Sequence, residues 1–129
     1  MEVIRGHQNA PRWAAGAAIA IGNFDGVHRG HQALVGRARE LARAGGARAV
    51  ALTFDPHPSA LLAPQGGPPA VCSLDRRIEL LAEAGADAVV VEPFTRELAA
   101  LAPEEFVDRI LIDALRARAI VVGYDFNYG

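Results

Sequence analysis

Four short β-rich stretches, residues 17–21, 48–54, 88–91 and 119–122, are apolar almost throughout. A strand that alternates apolar and polar residues can leave one face in water, but one apolar at nearly every position must be covered on both faces. Between these stretches the period changes to that of helices. Residues 30–44 carry Leu34, Ala38, Leu41 and Ala42 on one face, and 74–84 carry Ile78, Leu81 and Ala82 ahead of Gly85, a helix C-cap. A third helix is predicted to start at Pro103, with Glu104 and Glu105 in its first turn. It runs through Phe106, Ile110, Leu111 and Leu115 towards Arg118. Buried strands alternating with amphipathic helices predict a Rossmann-like α/β fold: an open parallel sheet, helices on both faces and right-handed crossovers. Residues 55–70 hold five of the eight prolines together with Gly66 and Gly67, a loop composition directly after the second strand. With 129 residues and neither repeat nor linker, the chain is expected to form one domain.

Composition then narrows the chemistry. All 13 basic residues are arginines. The absence of lysine excludes the lysine-dependent phosphate site of a P-loop and lysine Schiff-base catalysis. A formal charge of -2 gives no broad electrostatic footprint for nucleic acid or an anionic membrane, so any anion is expected to bind locally. Cys72 is the single cysteine, which rules out an internal disulfide and a cysteine metal cluster. The first residues, MEVIRGHQNAPRW, lack the apolar core of a signal peptide, and no apolar stretch nears the ~20 residues of a membrane helix. A cytoplasmic setting is expected.

The densest chemistry lies in residues 22–31, GNFDGVHRGH, between the first apolar strand and its helix. In an open parallel sheet, ligands bind at such a carboxyl end. Gly22, Gly26 and Gly30 let the backbone approach a bulky anion, and the start of the following helix favours phosphate. His28 and His31 place two imidazoles beside that helix start, able to stabilise charge growing on a phosphoryl group. Taken singly, each residue has a plainer account: a tight turn with Asp25 as a local cap and solvated histidines. Chance is a poorer account of the whole decapeptide. A His-x-x-His pair without a nearby cysteine is weak evidence for zinc, and no metal ligand is expected of the chain itself. The glycine spacing does not match GxGxxG, which disfavours a nicotinamide site.

GVHRGH contains the HxGH signature and so resembles the nucleotidyltransferase superfamily. The longer stretch IGNFDGVHRGHQALV, with LTFDPHP at 52–58 and VVGYDFNYG at 121–129, is similar to the FMN adenylyltransferase module of bifunctional riboflavin kinase/FAD synthetases. LDRRIELLAEAGAD and PEEFVDRIL extend the likeness across essentially the whole chain. The resemblance implies transfer of AMP from ATP to FMN, giving FAD and pyrophosphate, with Mg2+ carried by the nucleotide. By matching position it implies that His28 and His31 contact the ATP phosphates. Gly22, Asn23, Phe24 and Gly30 would line the nucleotide site, and Asp25 would support the loop. Asp55, Pro56, His57 and Pro58 would border the isoalloxazine ring, although a proline-stiffened turn accounts for them equally well. Asp125, Asn127 and Tyr128 would lie at the acceptor site, whereas core packing suits Phe126 better.

Asn127 departs from the family pattern, which commonly has a basic residue there. The chain also ends before the family's second, Ser/Thr-rich nucleotide signature and before the riboflavin kinase domain, which the resemblance places in a longer parent. A C-terminal truncation is therefore expected. Two alternatives stay open: another HxGH transferase, cytidylyl- or pantetheine-phosphate-specific, and a nucleotide- or flavin-binding fragment without turnover. Trp13, Cys72 and the pair Arg76 and Arg77 are assigned ordinary roles, the two arginines on a solvated helix face.

Overall fold

The computed structural model describes residues 1–12, 15–24, 29–55 and 73–122. Five strands, β1 (Glu2–Arg5), β2 (Ala18–Ile21), β3 (Ala49–Asp55), β4 (Ala88–Pro93) and β5 (Ala119–Val122), form one sheet in the order β1-β4-β3-β2-β5. Every pairing is parallel. The helices are α1 (Arg29–Ala44), α2 (Leu74–Ala84), α3 (Arg96–Ala99) and α4 (Pro103–Phe106), and α4 continues as a π-helical segment over Val107–Ala114. The expected α/β architecture is the one observed. No helix among the described residues is long and apolar enough to cross a membrane.

The two faces of the sheet differ in side-chain size. One face offers Ala18, Ala20, Ala49 and Ala51 with Val89 and Val91, and packs against Val35, Ala38 and Ala42 of α1 and Leu81 of α2. Short side chains let α1 settle close to the strands, since interiors are packed to crystal-like density. On the other face Ile19, Ile21, Val50, Leu52, Phe54 and Val90 meet Phe106, Ile110, Leu111 and Leu115. Phe54 makes a T-shaped contact with Phe94 at 5.6 Å and a tilted one with Phe106 at 6.1 Å.

α2 begins and ends as its sequence dictates. Ser73 Oγ accepts from the Arg76 amide at 3.1 Å, and Gly85 closes the helix at φ 114°, a conformation that side chains resist. The third helix starts at Pro103 as expected but does not reach Arg118. It widens after Phe106, its π-helical part ends at Ala114, and Arg116 turns left-handed at φ 54°. Arg118 already runs alongside the sheet, its amide donating to Ala17 O at 2.9 Å.

Strand β1 and helix α3 were not anticipated. In β1 only Ile4 is buried, so the four-residue strand has no periodicity to read, and pairing with β4 defines it. A carboxylate–imidazole contact holds its end. Glu92 is 4 % exposed, its Oε1 lies 2.7 Å from His7 Nδ1, and its Oε2 accepts from the His7 amide at 2.9 Å. Truncating His7 to alanine removes the ring and leaves one carboxylate oxygen without that partner. We expect a loss of about 1–3 kcal/mol in urea unfolding at neutral pH; an unchanged midpoint would show the pair to be energetically idle.

Candidate functional site

The chain's connections diverge at the carboxyl ends of β2 and β5. β2 leads into α1 on the alanine face, whereas β5 is entered from the π-helical segment on the opposite face. Ile21 pairs with Val122 on one side and with Leu52 on the other, so β2 and β5 end side by side. In open α/β sheets that crevice is where ligands bind, and the start of α1 brings the positive end of a helix dipole to it.

The loop out of β2 is built around one aromatic ring. Gly22 closes the ladder, its amide donating to Leu52 O at 3.2 Å. A Cβ on Gly22 would sit 3.3 Å from Cζ of Phe24, so the glycine makes room for that ring. Phe24 is fully buried and adopts φ 52°, a left-handed conformation unusual for a bulky residue. Its ring meets the edge of His31 at 5.2 Å and 77°. His31, half-buried in the first turn of α1, is thereby fixed against the end of β2.

Beneath this loop lies a polar hub. Thr53, fully buried, donates its hydroxyl proton to Asn23 O at 2.9 Å. Arg77, 2 % exposed, donates from Nη1 to Thr53 Oγ1 at 3.1 Å and to Phe54 O at 3.0 Å. The expectation of a solvated Arg77 is therefore corrected. It precedes Leu81 by four residues and shares that residue's inward face, a spacing visible in the sequence but masked by the charge. Arg76 does lie on the solvated face, 2.9 Å from Glu79 Oε2. Asn23 Oδ1 and Arg77 Nε are buried with no hydrogen-bond partner among the described residues.

Of the residues singled out from sequence, Gly22, Asn23, Phe24 and His31 come together here. Gly30 is exposed in the first turn of α1, and Asp55 is the exposed last residue of β3, at the same edge of the sheet. Asp25, Gly26, His28, Pro56, His57, Pro58, Cys72, Asp125, Phe126, Asn127, Tyr128 and Trp13 lie outside the described residues. Among those described, no three His, Cys, Asp or Glu side chains gather as metal ligands.

Residues 10–129 match the family model described as FAD synthetase. The chain is 40% identical over 129 residues to a bifunctional riboflavin kinase/FMN adenylyltransferase of Pseudomonas fluorescens, covering all of itself and 41% of that protein. The Escherichia coli K12 protein of the same name is 38% identical over 132 residues, a match that covers all of the chain and 42% of that protein. The chain thus spans about two-fifths of the length of these relatives. Among solved structures, one described as a macrolide-efflux protein from Streptococcus pneumoniae superposes with a TM-score of 0.85 at 26% identity. It covers the whole chain and 43% of that protein.

Proposed function

The chain belongs to the FAD synthetase family, and from that membership we propose that it provides the site at which FMN is adenylylated. An oxygen of the FMN phosphate attacks the α-phosphorus of ATP. The new P–O bond forms as the bond to the bridging oxygen of the β-phosphate breaks, and pyrophosphate departs. Mg2+ enters with ATP as part of the substrate. No protein nucleophile is required, so the work left to the chain is positioning and charge stabilisation. His31, in the first turn of α1, and His28 of the same signature stabilise the charge gathering on the phosphoryl oxygens. Gly22, Asn23, Phe24, Asp25 and Gly30 line the nucleotide, and Asp55, Pro56, His57, Pro58, Asp125, Asn127 and Tyr128 border the flavin. A riboflavin kinase domain in the parent protein would supply FMN, and we assign both to the cytoplasm.

The observation that carries this reading is the placement of His31. It is held by the buried ring of Phe24 at the carboxyl end of β2, where the strand order reverses and a helix begins. The test is calorimetric titration of the chain with MgATP and with FMN, then a pyrophosphate-release assay with both. Binding of each with release is expected. Binding of ATP without release would favour a binding fragment. Release with another acceptor in place of FMN would favour a different HxGH transferase, and no binding by folded protein would overturn the site.

A further inference from the structure

Arg77 is the most deeply buried cation among the described residues, and no carboxylate among them pairs with it. A buried cation has to be compensated by what it donates to, and here the acceptors are neutral: a hydroxyl and a backbone carbonyl. The reason for a guanidinium lies in what those two bonds fix.

Backbone groups two apart on a strand point to the same neighbour, so Phe54 O faces the side on which Leu52 O accepts from Gly22. The chain leaves β2 after that bond, because Phe24 turns left-handed. Nη1 of Arg77 supplies the donor that a longer β2 would have given to Phe54 O. The same nitrogen also reaches Thr53 Oγ1. A guanidinium has only donors, so it directs the single hydroxyl proton of Thr53 away from itself and onto Asn23 O, one residue before the left-handed turn.

We propose that Arg77 is a positioning residue for adenylyl transfer. Acting through Thr53, it sets the Asn23 carbonyl, the turn at Phe24 and hence the ring of His31. The proposal rests on the adenylyltransferase reading for its kinetic effect but not for its structural one. Arg77→Met abolishes both donated bonds and frees the Thr53 hydroxyl to rotate. Thr53→Val removes the relay and leaves Arg77 in place. Arg77→Lys keeps the charge and one donor.

The experiment combines pyrophosphate-release kinetics with NMR of the Phe24 amide and the His31 ring in the same proteins, well below their melting temperatures. Arg77→Met and Thr53→Val are each expected to lower kcat roughly tenfold, the weight of one to two hydrogen bonds, and to move both NMR signals. The double variant is expected to be no worse than either single one, and Arg77→Lys to recover much of the loss. Additive losses in the double variant, or unmoved Phe24 and His31 signals in the single ones, overturn the proposal. If Arg77→Met does not fold, Thr53→Val decides by the same signals. If wild-type protein shows no turnover, the functional reading fails while the NMR comparison still decides the role of Arg77.

Discussion

Replacing His31 by alanine is expected to slow pyrophosphate release from ATP and FMN roughly 100- to 1,000-fold, the range found when one preorganised charge-stabilising donor is removed from a transition state. The effect should fall on kcat rather than on the apparent affinity for ATP, because the charge that the ring meets grows during transfer. His28→Ala is expected to behave alike, since the two rings occupy one signature. Stability should change far less. His31 is half-buried, and its edge-to-face meeting with Phe24 is worth about 0.5–1.5 kcal/mol. Steady-state kinetics and urea unfolding on the same preparations separate the two effects. Turnover at the wild-type rate in both variants would remove the histidines from the mechanism, whereas parallel collapse of rate and stability would make them structural.

The opposite profile is expected one strand away. Phe54→Ala removes a ring that is 1 % exposed and braced by Phe94 and Phe106. Truncations of this kind cost about 3–5 kcal/mol because the cavity collapses only in part. A domain has about 5–15 kcal/mol in total, so this single change should consume roughly a fifth or more of the stability. The denaturation midpoint should fall with little change in slope. A loss below about 1 kcal/mol would show that the aromatic cluster repacks around the gap.

The legibility of this chain followed the length and polarity of its elements. β2, β3, β4 and β5 declared themselves by nearly unbroken apolar runs, and α1 and α2 by apolar stripes, that of α2 closed by Gly85. β1 did not, since four residues with one buried side chain look the same as a polar tail until β4 pairs with them. The widening of the third helix after Phe106 also left no mark, because a π-helical segment keeps the apolar residues facing inward. Of the signature segment, Gly22, Asn23, Phe24 and His31 meet at the end of β2. What it missed was the support from below. Arg77 reads as solvated because its charge masks its spacing to Leu81, and Thr53 reads as one more strand residue. Their joint role exists only once α2 lies across the end of β3. Likewise Glu92 and His7 stand 85 positions apart and became partners only through the pairing of β1 with β4.

The alanine face of the sheet has a consequence for how such a chain can change over generations. On the Ile, Leu and Phe side a lost methylene can be restored by a neighbour, and swaps of similar volume cost little. Beneath α1 there is no slack, because Ala18, Ala20, Ala49 and Ala51 are already near the smallest side chains available. Anything larger lifts the helix whose first turn bears His31. Neutral drift should therefore be lopsided: one side of the sheet is free to wander, while the other is held by the helix it seats.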